Sequence, residues 1–331
     1  MKKYLILILA FLMMLIFTAC YKTSDVETVQ DNEQDIEQDT TKEPTVQESI
    51  PPEPSEEPMP DGAEKVSILL MGAKEKDFSD PDSRAYVLTH ILITLDPKER
   101  TIKFTTFPYN LGVDVETDEG TELMQLQFVC TNMGEDAAAA ALEQNFSIDI
   151  DYYVLMNMKG VIDVVDALEG IEVEVAELTI NETGEHVAQV LGLMWQEVKS
   201  TGLQVLSGMQ TAGFFNDTFN VDPDNWLEEE ELIFRERHPS IINGVIAAVK
   251  LAGLKSDDMV TIAGNVSGNY KTDIPEEKWM VIADTALYCI QNEAQFLHIP
   301  QQIDTLNHDG NPPIVYDEDI DITAVQSFIG E

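Results

Sequence analysis

The chain has little positive charge, and arginine is the scarcest source of it. Its 331 residues contain 19 lysines and arginines against 61 aspartates and glutamates, a formal net charge of −42. The arginines number four: Arg84, Arg100, Arg235 and Arg237. A nucleic-acid backbone would be repelled by this charge, so nucleic acid is excluded as a partner. A phosphorylated ligand would require the few cations to gather at one place.

Cysteine is also scarce, with three in the chain: Cys20, Cys130 and Cys289. Hydrophobic residues make up 44% of the sequence, enough for a core, which excludes a fully disordered chain. Cys130 and Cys289 lie in apolar stretches far apart in the sequence, and we expect two buried free thiols. Pairing between them stays open, because an exported protein can form disulfides.

The N-terminus has the pattern of an export signal. Residues 1–20 begin with two lysines, continue with an apolar run from Tyr4 to Ile16 and end at Cys20. The run is shorter than the ~20 residues that a helix needs to span a bilayer. We therefore predict a lipoprotein signal peptide, with Cys20 lipidated and the chain anchored to the extracytoplasmic face of the cell membrane. The alternative is an uncleaved anchor helix.

Residues 21–64 have no apolar periodicity. They contain 14 acidic residues, two lysines and a proline-rich end, a composition that predicts a disordered acidic tether. Residues 65–303 are predicted to form the folded domain, and residues 304–331 a C-terminal extension packing on it or trailing from it. Residues 65–331 carry a net charge of −32, so the tether does not account for the acidity.

Hydrophobic patterning after residue 65 alternates between strand and helix. Strands are predicted at 66–71, 91–95, 101–107, 152–156, 171–175 and 294–299. Helices are predicted at 136–146, 160–168, 186–201, 208–215, 228–251 and 278–292. This order favours one α/β domain with a central mixed sheet flanked by helices on both faces.

The order of these segments resembles the LytR-CpsA-Psr family of cell-envelope proteins. The matching segments are Ile68–Gly72, Ile91–Pro97, Thr101–Pro108, Ile150–Val154, Val161–Gly170, Leu206–Gln210 and Tyr270–Ile274. The resemblance implies a phosphotransferase that holds a polyprenyl-pyrophosphate-linked glycopolymer in an apolar groove and moves its phosphosugar onto peptidoglycan. It also implies clustered arginines and Mg²⁺ around the pyrophosphate, whose developing charge they would stabilise.

Most of the implied site positions carry other residues in this chain. The family's Gly-x-Asp-x-Arg places Lys74 at the aspartate and Lys76 at the arginine. Its Arg-Ser-Asp-Thr places Leu88 at the carboxylate, and its Pro-Arg-Asp becomes Pro108 followed by Tyr109 and Asn110. Both in-register metal carboxylates are therefore absent, and no metal site is predicted, although Mg²⁺ belongs to the family.

The last arginine motif is kept in part. Of the family's Arg-x-x-Arg-Gln-Gln, Arg237 falls in register and Arg235 lies beside it. We take Lys76, Arg84 and Arg237 as the candidate catalytic residues, with Arg84 reaching the site from a shifted loop. Arg235, Tyr109 and Asn110 are the candidate substrate-binding residues. A structural alternative for the two C-terminal arginines is pairing with Glu228–Glu231 at helical spacing.

Other constellations are weaker. The five histidines show no spacing with cysteine or carboxylate that is typical of a metal site. The acidic stretch 217–224 lacks the glycine and closing glutamate of a calcium loop.

Three functions stay open at this point. The first is a catalytically degenerate member that binds polyprenyl-phosphate lipid, wall glycopolymer or a protein partner, which the replaced arginines favour. The second is an active glycopolymer transferase with a rebuilt lysine and arginine site. The third is an extracellular solute-binding lipoprotein, which the order of segments argues against.

Overall fold

The computed structural model describes residues 57–73, 76–80, 83–175, 189–190, 193–194, 202–215, 233–299 and 322–330. Cys20, the predicted signal peptide and the predicted tether as far as residue 56 lie outside the described residues. So do Lys74, the stretch 217–224 and Glu228–Glu231.

A six-stranded mixed sheet forms the centre of the described fold. Its strands are β1 (Val66–Ala73), β2 (Val87–Asp96), β3 (Thr101–Phe107), β6 (Tyr152–Asn157), β11 (Tyr270–Thr272) and β12 (Gln295–His298). Their order across the sheet is β11-β6-β1-β2-β3-β12. Strand β1 is central, pairing antiparallel with β2 and parallel with β6. Strand β3 continues antiparallel from β2 and pairs in parallel with β12.

The remaining strands form three two-stranded ribbons outside the central sheet. They are β4 (Gly112–Thr117) with β5 (Gly120–Gln125), β7 (Ile171–Val175) with β10 (Gly202–Leu206), and β8 (Gln189–Val190) with β9 (Leu193–Met194). The described α-helices are α1 (Leu126–Met133), α2 (Glu135–Phe146), α3 (Met158–Ala167), α4 (Gly208–Phe215), α5 (His238–Ala252), α6 (Ser256–Asn265), α7 (Trp279–Cys289) and α8 (Ile322–Ile329).

Strand alternation sends apolar side chains to both faces of the sheet. On one face Ile68, Ile91 and Phe104 pack with α3 to α7. On the other face Leu69 and Leu92 pack with α1, α2 and α8. Because both faces are covered, the central strands are almost continuously apolar, as the sequence shows. The predicted α/β domain with helices on both faces is confirmed.

Local capping sets the bounds of α3. The Asn157 side chain accepts a hydrogen bond from the Gly160 amide at 3.0 Å, which satisfies a free donor of the first turn. Gly170 follows the helix with a φ of +99°, in the left-handed region that glycine adopts without strain. The chain then turns directly into β7.

One predicted helix is wrong where the structure describes it, at 189–190 and 193–194. The segment 186–201 contains the antiparallel pair β8–β9 in its described part, where Val190 lies opposite Leu193. A β-branched residue followed in the sequence by Gly192 weakens helix propensity, and strand pairing prevails. The helix predicted at 228–251 begins, in its described part, with a π-helical turn at Ile233–Arg237 before α5.

The two described cysteines are free and buried on opposite faces of the sheet. Cys130 is 5% exposed and Cys289 is 0% exposed. Burial raises the pKa of each thiol to about 12, with Glu135 adding to the effect at Cys130 and Asp96 at Cys289. Both thiols are therefore protonated and shielded in the folded protein.

We accordingly expect a Cys20→Ser chain to show no reaction with a thiol reagent at pH 8 in its folded state and two reactive thiols in urea. Mass spectrometry after timed iodoacetamide labelling measures this. Fast labelling of either thiol before unfolding would contradict the described burial.

Candidate functional site

The strand directions bring the loops that carry Lys76, Arg84, Tyr109 and Asn110 to one edge of the central sheet. Strands β1, β3, β6 and β12 end there, at Ala73, Phe107, Asn157 and His298, and β2 begins there at Val87. We call this the site edge. Arg100 lies in the turn between β2 and β3 at the opposite edge, where its Nε donates to the Tyr288 carbonyl at 3.3 Å.

Lys76 lies on the loop that follows β1, and its ammonium is used within that loop. Its Nζ donates to the Ser83 carbonyl at 2.5 Å and lies 5.9 Å from the Phe78 ring. The Lys76 carbonyl accepts from the Asn157 side chain at 2.9 Å, which ties the loop to the end of β6. Arg84 follows Ser83 directly and is exposed. The Lys76 ammonium therefore bonds within its own loop.

A carboxylate next to Lys76 shapes the same loop. Asp77 accepts hydrogen bonds from the amide and hydroxyl of Ser79, at 2.8 and 2.7 Å. These bonds lower the pKa of the Asp77 carboxyl, since they stabilise its ionised form. The loop is thus a turn held by its own hydrogen bonds, in which the Lys76 ammonium and the Asp77 carboxylate already have partners.

Tyr109 and Asn110, the predicted substrate-binding pair, follow β3. Asn110 is 1% exposed, and its Oδ1 has no hydrogen-bond partner in the part of the chain that the structure describes. Tyr109 is half-buried, and its carbonyl accepts from the Gln127 amide at 2.8 Å. Asn110 is therefore packed inside, below the site edge.

The two C-terminal arginines have opposite environments although they are two residues apart. Arg235 is exposed and pairs with its neighbour Glu236 at 3.4 Å. Arg237 is 8% exposed; its Nη1 donates to the Phe214 carbonyl at 3.3 Å, and its guanidinium lies 5.2 Å from the Phe214 ring. Arg237 thus joins the start of α5 to the end of α4, a packing role with a cation–π component.

Two histidines that the sequence patterns did not single out lie near Arg237. His238 is 2% exposed and stacks on Phe215, with ring centroids 4.4 Å apart. Burial lowers the pKa of His238 to about 3, with smaller contributions from the charges of His298 and Arg237. His298 is brought there by β12, where it pairs with Thr106. The signal in the sequence was the position of His238, directly after the in-register Arg237.

The side chains at the site edge are poor ligands for a metal ion. The position of the family's second carboxylate is Leu88, followed by Thr89, which lies opposite Gly72. Among the described residues, no group of three or more histidines, cysteines or carboxylates is placed to hold a metal ion. Leucine, threonine and a buried amide do not form the anionic oxygen set that Mg²⁺ prefers.

The six-stranded mixed sheet with helices on both faces defines an α/β domain of the three-layer type. The LytR_cpsA_psr family model matches residues 19–324. The chain therefore belongs to the LytR_cpsA_psr family, as the sequence resemblance predicted.

Two curated relatives are teichoic acid transferases. The polyisoprenyl-teichoic acid–peptidoglycan teichoic acid transferase TagU of Bacillus mycoides (strain KBAB4) is 26% identical over 239 residues, 72% of this chain and 69% of the relative. TagU of Bacillus cereus (strain AH820) is 31% identical over 127 residues, 38% of this chain and 40% of the relative. The second match thus spans less than half of either protein.

Solved structures share the fold. The protein gbs0355 of Streptococcus agalactiae has a TM-score of 0.61 at 17% identity, covering 81% of this chain and 89% of that protein. Bacillus subtilis TagV has a TM-score of 0.59 at 18% identity, covering 81% and 98%. These similarities establish the common architecture. In the described residues, no helix has the length and apolar character required to cross a membrane.

Proposed function

We propose that the chain is a lipid-anchored wall protein on the outer face of the cell membrane. It binds a wall glycopolymer or its polyprenyl-linked form and has lost the pyrophosphate transfer chemistry of its family. The names of the relatives, which join teichoic acid to peptidoglycan, support the wall context. The N-terminal sequence ending at Cys20 supports the lipid anchor.

The proposed loss of transfer chemistry rests on one observation. The remaining candidate cations, Lys76 and Arg237, are engaged in contacts within the protein. The Lys76 ammonium holds the Ser83 carbonyl, and the Arg237 guanidinium is buried against Phe214. Transfer of the phosphosugar breaks the bond between the two phosphates, and the charge that develops on the departing polyprenyl phosphate needs guanidinium groups that are already aimed at it. Recruiting these two cations would first break their own contacts. Arg235 is paired with the exposed Glu236, so a pyrophosphate that approached Arg235 would also meet a carboxylate.

The donor set around the site edge points the same way. Leu88 cannot ligate a metal, and the Asn110 amide is neutral and buried. These residues do not fit a Mg²⁺ site, so no transfer step is assigned to one. Losing several members of a transfer constellation removes most of its rate, because even one missing oxyanion donor costs ~100-fold.

The test is ligand binding by the full chain in detergent, with inorganic pyrophosphate and Mg²⁺ as probes, beside TagU of Bacillus mycoides as a matched relative. We expect binding to this chain to be at least about tenfold weaker than to the relative, with no transfer from a polyprenyl-linked donor. Isothermal titration calorimetry measures the binding.

The contrary result is specific. Tight pyrophosphate binding that requires Mg²⁺ and weakens in Arg237→Ala would restore the transferase with a rebuilt site. An Arg100→Ala variant is the matched control, because it removes an arginine at the opposite edge of the sheet and leaves Arg237 in place.

A further inference from the structure

The outer face of the β7–β10 ribbon exposes two large apolar side chains to solvent. Leu203 is 64% exposed and Val205 is 62% exposed, and both lie on β10. The strand register places Leu203 opposite Glu174 and Val205 opposite Glu172. Both glutamates are exposed. An apolar row therefore runs beside an acidic row, and we call these four residues the ribbon face.

The inner face of the same ribbon is fixed to the domain. The inner residues of β7 are each 1% exposed and pack in the core with α5: Ile171, Val173 and Val175. The Ser240 hydroxyl of α5 donates to the Glu174 carbonyl at 3.4 Å. A Cβ on Gly244 would lie 2.6 Å from the Glu172 carbonyl oxygen, so helix and strand are in backbone contact. The ribbon face is thus a preorganised surface, which loses little conformational entropy on binding.

Strand β10 lacks the residues that usually protect an edge strand. Its five residues, Gly202–Leu206, include no charged side chain and no proline, in a chain of which 24% is charged. Among the strands that the structure describes, β10 pairs with β7 alone. Edge strands commonly carry a lysine, another charge or a proline that discourages association. Two neighbouring apolar side chains on such a strand are typical of a surface that a partner covers.

The spacing of the ribbon face matches that of an α-helix. Leu203 and Val205 are two positions apart on their strand, about 6.7 Å, and each lies about 5 Å from the glutamate opposite. On a helix, side chains at i and i+4 are about 6 Å apart along the axis, and consecutive positions are about 100° apart around it. A helix lying along the ribbon therefore places positions i and i+4 over the apolar row and positions i+1 and i+5 over the acidic row.

The charge of the ribbon face selects the sign of the partner. Glu172 and Glu174 attract lysine or arginine at i+1 and i+5, and the net charge of the whole chain, −42, favours a cationic partner over an acidic one. A second copy of this chain is the competing occupant, through pairing of β10 with the same strand of another molecule. Two copies would each bring a charge of −42, so electrostatic repulsion opposes that contact.

From these observations we infer that the ribbon face binds a cationic amphipathic helix of another protein. The helix carries apolar side chains at i and i+4, which contact Leu203 and Val205, and basic side chains at i+1 and i+5, which pair with Glu174 and Glu172. The small area of four residues fits a weak, transient complex. This interaction goes beyond the proposed wall-binding function and does not depend on it, because the ribbon lies outside the central sheet.

The probe is a synthetic helical peptide of four Leu-Lys-Gln-Ala repeats, which has leucine at i and i+4 and lysine at i+1 and i+5. Surface plasmon resonance measures its binding to the immobilised full chain, with detergent below its micellar concentration. The matched peptide has Leu-Gln-Lys-Ala repeats, which keep the composition but turn the lysine row about 200° from the leucine row. We expect the first peptide to bind at least about tenfold more tightly, and its binding to weaken as salt is added.

Reversing the acidic row tests the charge contact. We expect the double variant Glu172→Lys and Glu174→Lys to bind the first peptide at least about tenfold more weakly than the parent. The matched control is Glu119→Lys with Glu122→Lys, two exposed glutamates of the β4–β5 ribbon. It changes the net charge by the same amount at another surface, and we expect its binding to stay within about twofold of the parent.

Replacing the apolar row tests the other contact. We expect Leu203→Thr with Val205→Thr to weaken binding at least about tenfold, because threonine keeps the strand preference and removes most of the apolar surface. Thermal unfolding of each variant separates lost binding from lost folding.

Four outcomes would overturn the inference. Equal binding of the two peptides, or equal loss in the two charge-reversed variants, would show a general attraction between opposite charges. Unchanged binding in the double threonine variant would show that the apolar row is not used. A dimer of the parent chain in analytical ultracentrifugation that the double threonine variant abolishes would assign the ribbon face to a second copy. None of these outcomes alters the pyrophosphate titration, so the proposed wall function is tested separately.

Discussion

Lowering the pH from 7.5 to 5.5 is expected to lower the free energy of unfolding of the chain. The His90→Leu variant is expected to lose roughly 1.4 kcal/mol less than the parent over the same pH change. His90 lies on β2 between Met71 and Phe107 and is 0% exposed. Neither ring nitrogen has a hydrogen-bond partner within the described ranges. Burial lowers its pKa to about 3, because the imidazolium form would be desolvated without a partner.

The sign follows from proton binding. The unfolded imidazole titrates near ~6.5, so below that pH the unfolded state binds a proton that folded His90 does not bind. Stability is therefore complete above the unfolded pKa and is lost as the pH falls toward the folded value of about 3. His238, with its pKa also lowered to about 3, adds a loss of the same sign.

Urea unfolding of the parent and of His90→Leu at pH 7.5, 6.5 and 5.5 measures the effect. Asp273, whose pKa is raised by burial, changes stability in the opposite direction in parent and variant alike. This contribution cancels in the difference between parent and variant. A difference that stays constant across the three pH values would contradict the buried, neutral state of His90.

A methyl group added at Gly208 is expected to destabilise the fold by about 3 kcal/mol or more. A Cβ at this position would lie 2.3 Å from the Ile162 carbonyl oxygen and 2.9 Å from Asp166 Oδ1. The Gly208 amide also donates to Asp166 Oδ1 at 2.7 Å. Helices α3 and α4 are thus in backbone contact at this point, and an alanine side chain would force them apart.

Urea unfolding of Gly208→Ala against the parent gives the free-energy change. Gly268→Ala is the matched control, because its Cβ meets nothing within 4 Å, and we expect it to change stability by less than ~0.5 kcal/mol. Equal stability of Gly208→Ala and the parent would show that the two helices are farther apart than described.

The Gly208 contact explains one of the family-like segments. The segment Leu206–Gln210 resembled a family motif, and its glycine is the residue that lets α4 approach α3. Strands β1 to β3 were also predictable, because apolar runs bounded by turn residues are typical of buried strands. Strand β5 was missed since four of its six residues are exposed, which removes the hydrophobic period.

The site was predictable in residue type but not in partners. The sequence identified Lys76 and Arg237 as rare cations, yet the Ser83 carbonyl and the Phe214 ring depend on loop closure and helix packing. His298 comes close enough to influence the pKa of His238 because β12 pairs with β3, and no local pattern relates two histidines 60 residues apart. The environments of Asn110 and Arg237 required the fold, because burial is a property of the packed chain.

The place of β1 determines how the domain would carry a mechanical force. The chain reaches β1 at the edge opposite the site edge, where the Lys65 ammonium donates to the Gly330 carbonyl at 3.1 Å next to α8. A pull between the proposed N-terminal lipid anchor and the proposed glycopolymer at the site edge would run along this central strand. The hydrogen bonds of β1 to β2 and β6 cross the strand direction and would be loaded together, in shear. Unfolding under such a load is governed by the unfolding rate, so this strand order would resist wall tension better than one that opens bond by bond.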